Sequence, residues 1–107
     1  MTIIQTIQQM GEILAREVPP GSRIYLFGSQ ARGTATEHSD VDLLVVEPEV
    51  ARRFAETNRL SRLLRRMGVP VDLIVLSRET FEDWRNVPGT LAYEVASEGR
   101  LLNEVVQ

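Results

Sequence analysis

The chain has 107 residues with fifteen acidic residues against twelve arginines and no lysine, which gives a net charge of −3. This length suits one domain, so we predict a single domain over residues 1–107. A hydrophobic fraction of 43% excludes a disordered chain, and the absence of cysteine excludes a disulfide scaffold. The acidic balance disfavours direct nucleic-acid binding, and no apolar run approaches the ~20 residues of a membrane span. We therefore expect a soluble protein, with the cytoplasm as its default location.

The first part of the chain predicts a helix, a strand and a turn. Residues 2–17 repeat apolar side chains at helical spacing, and Thr2 is a natural N-cap for that helix. Residues 22–27 predict a short strand because they are rich in residues that favour β-structure. A short turn or helical piece at 29–33 and a polar loop ending at Ser39 follow.

The second part alternates strands and helices. Residues 41–46 are almost continuously apolar, which is typical of a strand covered on both faces. Proline suits the first turn of a helix and glycine the position just after its end, so we expect a helix from Pro48 to Gly68. The remaining predicted elements are a strand at 71–76, helices at about 78–85 and 88–98, and an extended tail at 100–105.

One pentapeptide occurs almost twice, as VDLLV at 41–45 and VDLIV at 71–75. Two strands joined by a helix of about twenty residues favour parallel pairing in one sheet, so Asp42 and Asp72 are predicted to lie side by side. Asp40 and Asp42 share a face because strand side chains alternate. The three carboxylates are therefore predicted to converge at one end of the sheet.

Three adjacent carboxylates repel each other, so a cation among them is the usual solution. Magnesium suits this position, since it binds a few carboxylates together with waters and substrate phosphates. The alternative is that Asp40 and Asp42 only open a strand in solvent. The chain has four aspartates, and three of them are Asp40, Asp42 and Asp72, which favours a metal site.

A candidate phosphate site lies just before these aspartates. Backbone N–H groups at Gly28-Ser29 and the Ser29 hydroxyl can hold a phosphate, although a turn glycine followed by a helix-capping serine is the simpler interpretation. Arg32 either neutralises phosphate charge or is a solvated loop residue. Gly33 is predicted to supply a turn conformation, and His38 to be exposed rather than a ligand.

The spacing Gly28-Ser29-x10-Asp40-x-Asp42, followed by Asp72, resembles the nucleotidyltransferase superfamily that includes polymerase-β-like enzymes. The sequence GSQARG…SDVDLLVV looks most like that of the minimal nucleotidyltransferases, the MNT family. The resemblance covers essentially the whole chain. The resemblance implies an α/β (α+β) nucleotidyltransferase fold, with a small mixed β-sheet and about four helices.

The same resemblance implies a reaction and its residues. The family transfers a nucleoside monophosphate, commonly AMP from ATP, to a hydroxyl group, and it uses Mg²⁺, with two ions expected. It implies that Asp40 and Asp42 bind the ions carrying the triphosphate and that Asp72 completes the second ion site. Gly28 and Ser29 would hold the phosphates, with Arg32 as the nearest cation.

Family resemblance also implies a partner, since larger relatives add a helical domain for which 107 residues leave no room. Minimal members are typically paired with a small all-helical HEPN protein, an RNase-type toxin that they neutralise by adenylylating a tyrosine. A homo- or hetero-oligomer would complete the cleft. Two alternatives stay open: an antitoxin that neutralises its partner by contact alone, and a subunit of an adenylyltransferase for small molecules such as aminoglycosides.

Overall fold

A computed structural model of the chain describes residues 1–106. Within them, four strands and five α-helices follow one another, with one short 3₁₀ turn after the third helix and no strand between the fourth and fifth helices. The helices are α1 (Ile3–Ala15), α2 (Gly28–Arg32), α3 (Arg53–Leu63), α4 (Arg78–Trp84) and α5 (Leu91–Glu98). The strands are β1 (Arg23–Phe27), β2 (Val41–Glu47), β3 (Val71–Ser77) and β4 (Arg100–Glu104).

The strands form one mixed sheet in the order β3-β2-β1-β4. β1 runs antiparallel to both β2 and β4, whereas β2 and β3 are parallel, with Val41 opposite Val71 and Glu47 opposite Ser77. The predicted parallel pairing of the two pentapeptides is therefore confirmed, and so is the expected small mixed sheet. Residues 28–32 form a short helix, which is one of the two conformations expected for this segment.

Helices cover the sheet on both faces. One face packs on α1 and α3 through side chains such as Leu43 and Val45, and the other packs on α4 and α5 through Leu44 and Val46. Alternate residues of β2 are thus buried on opposite faces, as the continuous apolar run predicts. All of these β2 side chains are buried, so β2 is the central support of the site that begins at its N-terminal end.

Two predicted helix starts are confirmed by their caps, and two others are wrong. Thr2 forms a capping box with Gln5, and Ser77 accepts a hydrogen bond from the Thr80 amide. The helix expected from Pro48 begins only at Arg53, and the one expected from Pro88 begins at Leu91. In both cases the proline lies in the connection before the helix, a position that its fixed φ and missing N–H also suit.

None of the helices in residues 1–106 is both long and apolar enough to cross a bilayer. The longest of them, α1, buries only one stripe, with Met10 and Leu14 completely buried and Ile4 exposed. The buried stripe of α1 packs on the sheet, as expected of an amphipathic helix.

Candidate active site

Two aspartates of the repeated pentapeptide lie side by side where β2 and β3 begin. Asp42 is opposite Asp72 in the parallel register. Both side chains point to the α4–α5 face, since they alternate along their strands in phase with Leu44 and Ile74, which pack on that face. Asp40 lies one residue before β2, close enough for its charge to act on Asp42. We call Asp40, Asp42 and Asp72 the aspartate group.

Gly28 brings the turn after β1 into direct contact with this group. It is buried and has a φ of +71°, and a Cβ atom added to it would overlap the Asp42 carboxylate and lie 3.0 Å from its Cγ. A side chain would therefore be excluded by space as well as by backbone conformation. The turn at Gly28 therefore lies directly against the Asp42 carboxylate.

The electrostatics of the aspartate group oppose ionisation of its central member. Burial raises the pKa of Asp42 above its usual value, and the charges of Asp72, Asp40 and Glu94 raise it further. Arg32 is the cation that acts against this rise. The site therefore has an excess of negative charge that a bound cation would relieve.

The carboxylates do not form a ready-made metal cage. Among residues 1–106, no three histidine, cysteine, aspartate or glutamate side chains are close enough together to hold an ion. The donor set nevertheless fits Mg²⁺, which is typically bound through one or two carboxylates, with waters and substrate phosphates completing its shell.

Arg32 lies at the end of α2, on the same side as the aspartate group, and it is paired with α5. Its Nη1 is 3.4 Å from Glu98 Oε2 and 3.8 Å from Glu94 Oε2. Neither glutamate was a predicted site residue. They are far from the aspartates in sequence and have no motif of their own, so only the packing of α5 on the sheet brings them here.

Gly33 and His38 take the positions expected of them, whereas Ser29 does not cap α2, because the helix already begins at Gly28 with Phe27 as its N-cap. Ser29 is half-buried in the first turn of α2, and Gly33 ends that helix in the left-handed conformation with a φ of +78°. His38 is exposed, and its Nε2 lies 3.4 Å from Glu37. An open cavity of about 530 Å³ lies between the loop at residues 35–39 and the segment at 68–70. These segments lead into β2 and β3, so the cavity adjoins the same end of the sheet.

The fold and the arrangement of carboxylates can now be compared with known protein families. Residues 7–101 match the nucleotidyltransferase domain family, so the chain belongs to that family and is a nucleotidyltransferase. The sequence resemblance and the predicted fold class are thereby confirmed.

The particular relatives are protein adenylyltransferases. "Putative protein adenylyltransferase MJ0604" of Methanocaldococcus jannaschii is 38% identical over 80 residues, which are 75% of this chain and 76% of the relative. "Protein adenylyltransferase MntA" of Shewanella oneidensis is 28% identical over 101 residues, which are 90% of this chain and 67% of the relative. A solved toxin–antitoxin complex with AMP-PNP is similar with a TM-score of 0.60 and 27% identity, over 91% of this chain and 73% of that one.

Proposed function

We propose that this nucleotidyltransferase transfers AMP from ATP to a hydroxyl group of a partner protein and thereby acts as an antitoxin. The observation that carries the proposal is the pairing of Asp42 with Asp72 directly against the Gly28 backbone. Support for the nucleotide comes from the similar complex with AMP-PNP, and support for a protein acceptor from the relatives named protein adenylyltransferases.

We assign the roles of the residues as follows. Asp40, Asp42 and Asp72 are the catalytic carboxylates and the metal ligands. The Gly28-Ser29 backbone and hydroxyl hold the phosphates, and Arg32 adds positive charge beside them. Because the carboxylates already repel each other, this chain needs cations before it can accept a triphosphate.

We propose Mg²⁺ for these cations, with two ions. When bound, such ions neutralise phosphate charge and lower the pKa of an acceptor hydroxyl. The residues of the chain hold and orient the reactants: the aspartate group faces the ions, and the Gly28 turn limits the position of the triphosphate. Positioning and electrostatic stabilisation would supply most of the rate acceleration.

We propose a HEPN-type toxin as the partner and a tyrosine hydroxyl as the acceptor. The supporting observation is the similarity to a toxin–antitoxin complex, together with the relative named MntA. A homo- or hetero-oligomer would cover the open side of the site, and the cytoplasm is where such a pair would act.

The proposal is tested by incubating the chain with labelled ATP, Mg²⁺ and a candidate HEPN protein. The partner should become labelled, Asp42→Ala should abolish labelling, and chelation of divalent ions should do the same. Asp83→Ala is the matched control, because Asp83 is the one aspartate outside the aspartate group and is exposed on α4. Absence of transfer to any candidate partner would contradict the proposal.

The same variant, Asp42→Ala, distinguishes a second candidate function, that of an antitoxin that acts by binding alone. A binding antitoxin would neutralise its partner by contact, so Asp42→Ala would retain neutralisation while losing transfer. The observation that favours this alternative is the row of exposed arginines around α3, which offers a charged surface for docking. Its members are Arg52, Arg53, Arg59, Arg62, Arg65 and Arg66. Loss of neutralisation in step with loss of transfer would exclude it.

A further inference from the structure

Arg32 is held from one side only. Within residues 1–106, its one side-chain hydrogen bond, to Glu98, and the shortest contacts of its ion pairs with Glu94 and Glu98 are all made by Nη1. A guanidinium has five N–H donors on three nitrogens, so the Nε and Nη2 donors remain for another acceptor. The anchored arginine can therefore bind a second anion without giving up the first.

The two glutamates that hold Arg32 come from a different part of the chain than the arginine. Arg32 ends α2, which follows the Gly28 turn, whereas Glu94 and Glu98 lie one helical turn apart on α5. An i, i+4 pair lies on one helix face, so the two carboxylates can both contact the Arg32 guanidinium. α5 is fixed on the sheet by the buried Ala92 and Val95, which gives the carboxylates a rigid base.

Arg32 also lies near the aspartate group. It ends the short helix that begins at Gly28, and the Gly28 backbone lies directly against the Asp42 carboxylate. The side chain of Arg32 is 43% exposed, which leaves it accessible to a ligand from solvent. A guanidinium fixed here lies between α5 and the place where the triphosphate is proposed to bind.

We propose that Glu94 and Glu98 are positioning residues, which hold Arg32 by Nη1 so that its remaining donors face the nucleotide phosphates. This inference rests on the proposed function, and it adds α5 to the nucleotide site. Neither glutamate touches the nucleotide itself. Because a fixed guanidinium loses less conformational entropy on binding, the pair increases nucleotide affinity despite its negative charge.

The test is a mutant cycle on Mg²⁺-ATP affinity, measured by calorimetry on the full chain. Glu94→Gln/Glu98→Gln should raise the Kd for ATP by about two- to fivefold, the range for exposed ion pairs. Arg32→Gln should raise it by at least as much. Adding the two glutamate changes to Arg32→Gln should not raise the Kd further, because the glutamates act only through the Arg32 guanidinium, which is then absent. In transfer assays, KM for ATP should rise and kcat should hardly change.

Glu82→Gln is the matched control, since Glu82 on α4 forms a similar 3.2 Å ion pair with Arg85, just after that helix, and this variant should leave the Kd unchanged. A lower Kd in the glutamate double variant would overturn the inference, because the carboxylates would then compete with phosphate. An unchanged Kd would also overturn it. ATP binding without transfer would count against the proposed function alone, whereas a wild-type chain that binds no ATP would overturn both.

Discussion

Glu47 is a carboxyl group in a place where a charge is costly. It ends β2 on the α3 side of the sheet, is 3% exposed, and its Oε2 has no hydrogen-bond partner within residues 1–106. Burial and the neighbouring Glu56 raise the pKa of Glu47 to about 8, with Arg59 acting in the opposite direction. Glu56 binds Arg59 at 2.7 Å, which helps to hold its own pKa well below the usual value. Glu47 is thus the member of this pair that carries the proton.

A raised pKa in the folded state makes stability depend on pH. Below about pH 4.5 Glu47 is protonated in both states; between that pH and about 8 only the unfolded state releases the proton, so stability falls as pH rises. The slope is at most about 1.4 kcal/mol per pH unit for one proton. We expect Glu47→Gln to match the wild type near pH 5 and to be more stable at pH 9, as measured by urea unfolding.

Glu49→Gln serves as the control, because Glu49 is exposed two residues away and its removal should leave the wild-type pH dependence intact. Stability curves for Glu47→Gln and the wild type that stay parallel from pH 5 to 9 would show that Glu47 ionises normally in the folded chain.

The junction of β1 and α2 is built around the contact between Gly28 and Asp42. Antiparallel pairing puts Phe27, the last residue of β1, opposite Asp42, so the next residue must pass directly over that carboxylate. Only a residue without Cβ passes without overlap, and the positive φ at this position favours glycine as well. The turn and the aspartate group therefore depend on each other.

We expect Gly28→Ala to destabilise the chain by more than the ~1–2 kcal/mol of a left-handed alanine, because it also displaces the Asp42 carboxylate. Nucleotide transfer should be lost in the same variant. Gly33→Ala isolates the backbone cost, since Gly33 has a similar φ but a Cβ there would meet nothing within 4 Å. Chemical denaturation of both variants checks the prediction, and equal losses would show that the contact with Asp42 has no energetic weight.

The molecule as a whole concentrates negative charge at one end of its sheet. Asp42 and Asp72 are thirty residues apart in sequence, and α3 is the crossover that brings their strands into register. The charges of Asp72, Asp40 and Glu94, added to burial, oppose ionisation of Asp42 in the ligand-free chain. Such a site costs stability until a cation and a nucleotide bind, which is a common compromise between stability and activity.

We therefore expect Asp42→Asn to raise the unfolding temperature of the ligand-free chain at pH 7 by roughly a few degrees. Wild-type protein should gain stability from Mg²⁺-ATP, by about 2.7 kcal/mol at a ligand concentration of one hundred times Kd. The variant should lose most of that gain. Thermal unfolding with and without ligand measures both effects.

Asp83→Asn, at an exposed position on α4, should change neither value. If Asp42→Asn lowered the unfolding temperature of the ligand-free chain, the carboxylate would be making a stabilising contact, and the account of repulsion within the aspartate group would be wrong.

The sequence alone predicted the four strands, the parallel pairing of the repeated pentapeptides and the side-by-side placement of Asp42 and Asp72. These follow from patterns that adjacent residues carry: period-two alternation, continuous apolar runs, and local caps such as Thr2 and Ser77. The Gly28-Ser29 pair could also be identified from the sequence, because its spacing from Asp40 and Asp42 is read directly from the order of residues.

Tertiary structure decided what no local pattern records. The starts of α3 and α5 lie beyond their prolines. The fixed φ and missing N–H of proline suit a loop position as well as the first turn of a helix, so the proline alone does not mark where the helix begins. The ion pairs of Arg32 with Glu94 and Glu98 depend on where α5 packs, and the raised pKa of Glu47 depends on burial beneath α3. Charge and burial act through space, so a residue's electrostatic neighbours are known only when the fold has brought distant segments together.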